Sequence, residues 1–125
     1  MPVDATLPYD DQNIFAKILR GEIPATRLYE DDYALAFPDI NPQSPTHILV
    51  IPKGAYVSWD DFSARASDTE ITGFVRAVGT VARDAGLVAS GYRLLANAGL
   101  DSHQEVPHLH VHIFGGRPLG GLIAK

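Results

Sequence analysis

A chain of 125 residues is long enough for one packed domain and too short for two independent cores, and its 46% hydrophobic content supports a core rather than disorder. A formal net charge of −5 with no Lys/Arg cluster argues against a nucleic-acid partner, and no apolar run is long enough to span a bilayer. Without cysteine there are no disulfides or thiolate ligands, and a cytoplasmic location is the expectation.

Residues 1–12, "MPVDATLPYDDQ", are acidic and Pro-containing, lack the character of a signal peptide, and read as a flexible arm before a single domain over 13–125. In "NIFAKILRGEIP", Ile14, Phe15, Ile18 and Leu19 recur at helical spacing, and Gly21 and Pro24 stop the helix. "TRLYEDDYALAF" reads as two strands around an acidic turn at Glu30–Asp32. A Pro-punctuated loop, "DINPQSPT", leads into "HILVIP", whose continuous apolar run suits a central strand covered on both faces.

"SDTEITGFVRAVGTVARDAG" predicts the long helix, opened by a Ser67/Glu70 capping box and closed by Gly86. Ile71, Phe74, Val75, Val78, Ala82 and Ala85 form its apolar stripe. Gly73 and Gly79 lie inside it at a cost of about 1 kcal/mol each against Ala. Either they admit a neighbouring element closely, or they are tolerated imperfections. "GYRLLAN" predicts a strand ending at Asn97, "NAGLDSHQEVP" a polar loop, and "HLHVHIFG" the last strand, released by Gly115–Gly116. Strands and two main helices out of strict alternation make an α+β domain.

The last strand carries the chemistry. Side chains alternate faces along a strand, so His108, His110 and His112 share one face while Leu109, Val111 and Ile113 turn to the core. Neighbouring imidazoles then start ~6.6 Å apart and the outer pair ~13 Å apart. Three readings compete. A metal could be held by two adjacent histidines with a further ligand from His47, His103 or Glu105, but hardly by all three at once. A solvated His-rich strand would have no chemistry at all. In the third reading His110, flanked by imidazoles, attacks phosphorus while its neighbours bind the phosphate oxygens.

"HLHVHIF" resembles the signature of the histidine triad (HIT) superfamily. "IFAKILRGEIPATRLYEDDYALAFPDINPQSPTHILVIPK" and "NAGLDSHQEVPHLHVHIFGGR" resemble the two halves of its Hint branch, the nucleoside phosphoramidase-like proteins. The resemblance implies a HIT-like antiparallel sheet in a homodimer, no metal and no cofactor. It also implies hydrolysis of purine (AMP- or GMP-like) nucleoside phosphoramidates through a nucleotidyl-histidine. His110 takes the nucleophile's position, His112 that of a phosphate contact, and His108 and His47 those of supporting histidines. Asn97 and Gln104 match polar groups around the phosphate, and Asp39 the carboxylate on the ribose hydroxyls. Ile14, Phe15, Ile18, Phe37 and Ile40 match the nucleobase pocket, although ordinary core packing explains each of them singly.

The chain departs from the animal proteins in three places. Glu105 stands where they carry Ser, so it becomes the candidate proton donor although its charge opposes a phosphate. His103 replaces a small residue and reads either as an exposed loop side chain, the favoured alternative, or as a donor behind the site. "RPLGGLIAK" lacks their Trp-Pro-Pro-Gly ending, so the natural leaving group does not carry over. The alternatives are a dinucleoside polyphosphate hydrolase of the same superfamily, a nucleotide-binding regulatory protein with incidental hydrolysis, and a metal-binding protein.

Overall fold

The computed structural model describes residues 2–122; Met1 and residues 123–125 of the C-terminal tail lie outside it. In chain order the elements are α1 (Ile14–Leu19), β1 (Tyr29–Glu30), β2 (Ala34–Pro38), β3 (Thr46–Pro52), α2 (Trp59–Arg65), α3 (Asp68–Asp84), β4 (Arg93–Leu95) and β5 (Val111–Gly115). The strands form one antiparallel sheet in the order β1-β2-β3-β5-β4. No helix among the described residues is long and apolar enough to cross a membrane.

β3 is central, as its unbroken apolar run predicts, and the two faces of the sheet explain that run. Ile48 and Val50 enter one core with Ala34 and Ala36 of β2, Val111 and Ile113 of β5, and the α2–α3 layer. Leu49 and Ile51 enter a second core with Leu35, Phe37 and α1's Phe15 and Ile18. β2 and β3 supply both cores because successive side chains point to opposite faces, whereas β5 supplies only the first. The acidic turn before β2 forms as expected: the Asp31 carboxylate accepts from the backbone N–H groups of Tyr33 and Ala34 at 2.7 and 2.9 Å.

The predicted capping box operates, and α1 has an N-cap that the sequence reading did not name. Asn13 Oδ1 accepts from Ala16 N at 2.9 Å, and Ser67 and Glu70 form a reciprocal box at the start of α3. The buried face of α3 comprises Phe74, Ala77, Val78, Val81 and Ala82, so the predicted stripe is displaced. Val75 is 55% exposed and Ala85 lies at the surface, because the sheet below accepts only the arc centred on Val78. The two glycines part company. A Cβ on Gly73 would collide with the Tyr33 ring, so glycine is required there for close approach. A Cβ on Gly79 would meet only the guanidinium of Arg83, a flexible neighbour on the same helix, so that glycine is a tolerated imperfection.

Several expectations need correction. The sequence reading places no element over 53–66, yet α2 lies there, opened by a Ser58/Asp61 capping box and anchored by buried Phe62. Among the described residues the helices are therefore three, α3 alone being long. The final strand begins at Val111 rather than His108, and β4 ends at Leu95, two residues before Asn97. Two contacts join the N-terminal arm to the domain: Val3 N donates to the Gln104 carbonyl at 2.7 Å, and Tyr9 hydrogen-bonds His108. Its isolated polar residues give no periodic signal from which such docking could be read.

Candidate active site

Leu109, Val111 and Ile113 are buried in the first core, which turns the histidines to the opposite face of the sheet. His112 lies on β5 opposite Leu49 of β3 and Leu95 of β4, and His47 on β3 lies opposite Phe114. A cleft of about 380 Å³ opens there, lined by Asp39, His47, Asn97, Glu105, His110 and His112, with Asn41, Gln43, Leu95, Ser102, His103 and Phe114. The His110 and His112 rings approach to 5.1 Å between centroids, closer than ideal strand spacing because His110 precedes the ladder.

The hydrogen bonds assign the protons of His47, His108, His110 and His112. The Pro52 carbonyl can only accept, so His108 Nε2, 2.8 Å away, carries hydrogen and Nδ1 is bare. Tyr9 Oη, 2.6 Å from that Nδ1, must donate to it. His110 Nδ1 donates to the His108 carbonyl at 2.8 Å, so its Nε2 keeps a lone pair. Gln43 N donates to His47 Nδ1 at 3.0 Å, so His47 Nε2 carries hydrogen and donates to His112 Nδ1 at 2.9 Å. His112 must then carry its proton on Nε2. That atom is the one buried side-chain polar atom without a partner among the described residues. An orphaned N–H therefore stands beside a ring with a bare nitrogen, a pairing that suits an anionic electrophile.

Burial keeps the rings neutral. It lowers the pKa of His108 to about 4, with the neighbouring His110 adding to the effect. His112 is also pushed down to about 4 by burial, with His110 and His47 opposing further charge. His110 and His47 are lowered by burial as well, against the pull of nearby carboxylates. A nucleophilic imidazole must be neutral, so this environment suits attack at ordinary pH.

Asp39 is half-buried at the cleft, with one carboxylate oxygen accepting from Asn41 N at 2.8 Å and the other 3.4 Å from His47 Nε2. Asp39, His47 and His112 offer ligand atoms within 4.8 Å of one another, a grouping that could face a cation. Two facing nitrogens of that group already share a hydrogen bond, which a metal would have to break.

Other expected residues fall elsewhere. Gln104 is fully buried and outside the cleft lining: its amide donates to the Val57 and Val106 carbonyls at 2.7 and 2.9 Å and its oxygen accepts from Gly99 N. Its role in the fold is to brace the loop, because every polar atom is engaged there. Phe15, Ile18 and Phe37 are buried in the second core, while Ile14 is 44% and Ile40 98% exposed. Phe15 still reaches the site, its ring standing edge-on to His110 at 5.0 Å. His103 has φ 61° and lies at the cleft rim, with Glu105 nearby in the lining. Phe114, stacked on His112 at 5.4 Å, continues the two-residue period of the triad and was legible in it. Tyr9, Gln43 and Leu95 carry no local signal, since only tertiary contact brings them here.

The HIT domain family matches residues 20–119. The chain belongs to this family. A HIT-like protein of Azospirillum brasilense, described as uncharacterized, is 65% identical over 94% of this chain and 96% of that one. The purine nucleoside phosphoramidase of Escherichia coli is 41% identical over 91% of this HIT chain and 95% of its own. A histidine triad protein from Clostridium difficile has the same fold, with a TM-score of 0.80 at 40% identity, covering 93% of this chain and all of that one.

Proposed function

We propose that this HIT protein hydrolyses purine nucleoside phosphoramidates. The observation that carries the reading is the pairing of a bare His110 Nε2 with the orphaned Nε2–H of His112 at one cleft. His110 Nε2 attacks the α-phosphorus, the P–N bond breaks, and its electron pair leaves with the amine nitrogen. That nitrogen takes up a proton, for which Glu105 in the cleft lining is the candidate donor. Water then attacks the nucleotidyl-imidazole, releasing the nucleoside monophosphate and restoring the ring. The His112 N–H binds a non-bridging oxygen, and its bond is strengthened as negative charge develops. Asn97 is a further phosphate contact, and Asp39 accepts from the ribose hydroxyls. The E. coli relative bearing this activity in its name supports the reading.

The test is a panel of adenosine phosphoramidates beside a dinucleoside triphosphate, each with and without exhaustive chelation. Rapid release of AMP from the phosphoramidates, unchanged by chelator, is expected. Preference for the dinucleotide would transfer the chain to the polyphosphate branch. Loss of turnover on chelation, restored by zinc, would favour the metal reading.

The protein is also proposed to be a homodimer through α3. Trp59, Val75 and Leu94 are 45–55% exposed around a groove of about 670 Å³ that also takes in Val78 and Gly79. A small domain gains by covering such an apolar face with its own copy. Sedimentation at micromolar concentration is expected to give twice the chain mass, and Val75→Glu to give the monomer.

A further inference from the structure

The N-terminal arm reaches the catalytic face through one side chain. Its ends are tied at Val3, whose N–H donates to the Gln104 carbonyl, and at Asp10 and Asp11, whose carbonyls accept from Asn13 and Arg20 beside α1. Between them Tyr9 sets its ring edge-on to His108, 5.6 Å between centroids, with its hydroxyl 2.6 Å from Nδ1. His108 is fully buried, and its only other ring nitrogen is committed to the Pro52 carbonyl. The backbone carbonyl of the same residue accepts the Nδ1–H of His110.

We propose that Tyr9 is a positioning residue for the triad: its hydroxyl donates to His108 Nδ1, clamps that residue between Tyr9 and Pro52, and so holds the carbonyl that aims His110 Nε2 into the cleft. Tyr9 is not among the residues that line the cleft, which places it behind the triad rather than on the substrate. A carbonyl bonded to an imidazole N–H fixes both the tautomer and the ring's direction, and a backbone free to shift would lose both. The phenol stays protonated and able to donate, because burial raises its pKa. The arm thus completes the site from outside the matched family segment, which begins at residue 20.

The catalytic half of this inference rests on His110 as nucleophile; the structural half does not. Tyr9→Phe keeps the ring and removes the donor. Two readouts are taken: turnover of an adenosine phosphoramidate, and the nitrogen resonances of His108 in two-bond proton–nitrogen correlation spectra. We expect kcat to fall on the order of tenfold with KM within about twofold, since aim is lost and not binding. The His108 Nδ1 resonance should move toward that of an unbonded imine nitrogen while Nε2 stays protonated. Val3→Pro removes the other arm tie without touching His108 and should change neither readout. Unaltered kcat in Tyr9→Phe, an unmoved Nδ1 resonance, or an equal loss of kcat in Val3→Pro would each overturn the proposal. If the unmodified protein turned over no phosphoramidate, the hydrolase reading would fall, and the Nδ1 resonance would still decide whether Tyr9 holds His108.

Discussion

Replacing His110 with alanine is expected to cut turnover on the order of 10³-fold or more, because the covalent route disappears rather than one contact. The fold should survive. The side chain faces the cleft and the edge of Phe15, not the first core, and its one hydrogen bond is to the His108 carbonyl. The decisive measurement is mass spectrometry after rapid quenching, without acid, during turnover of the intact protein. One added nucleotidyl group should map to His110, and the alanine variant should carry none. A label on His108 or His103, or near-full activity in His110→Ala, would contradict the mechanism. His108→Ala makes the informative contrast. It should retain more activity per folded molecule, but it strands the Tyr9 hydroxyl and the Pro52 carbonyl beside a void, at about 2–5 kcal/mol of stability. Chemical loss and structural loss therefore separate on adjacent members of one triad.

Acid should weaken the domain well before its carboxylates titrate. His108 and His112 ionise near 6.5 in the unfolded chain and only at about 4 in the folded one, because burial disfavours their charge. Between those values the unfolded state binds more protons, so stability is complete above pH 6.5 and is lost as pH falls toward 4. For fully buried His108 the loss is roughly 3 kcal/mol, and it is smaller for partly open His112. His110 and His47 add in the same direction. The carboxylates whose pKa is lowered, Asp4, Glu30, Asp31 and Glu70, begin their own loss only at the acid end of this window, as pH falls through the unfolded values of 4.5 for Glu and 3.8 for Asp. Urea unfolding at a series of pH values should show a steep fall between pH 6.5 and 4.5, flattened in His112→Asn. A level profile across that range would mean that the imidazoles are hydrated rather than buried.

Much of this protein was legible in one dimension because its signals are local. Alternation places Leu109, Val111 and Ile113 on one face and the histidines on the other whatever the rest of the chain does. The apolar run of β3 predicts cover on both sides, and Ser67 and Gly86 mark the ends of α3 through local geometry. The triad and its flanking segments identify the family for the same reason, as residue types at set spacings.

What required the tertiary structure is everything that depends on who arrives from a distance. The resemblance matches Gln104 to a group around the phosphate, and only the fold shows that its amide donates to the carbonyls of Val57 and Val106. Likewise only the fold shows that Ile14 and Ile40, matched to the nucleobase pocket, are exposed. The spacing of α3 could not tell Gly73 from Gly79, because the difference is the Tyr33 ring packed against one of them. The sequence by itself determined which face of the last strand bears imidazoles; it could not determine their protons. Those are assigned by Tyr9 and Pro52, 99 and 56 residues from His108, and by Gln43 acting through His47, which lies 65 residues from His112; a proton's place depends on the partner across the bond rather than on the residue next along the chain.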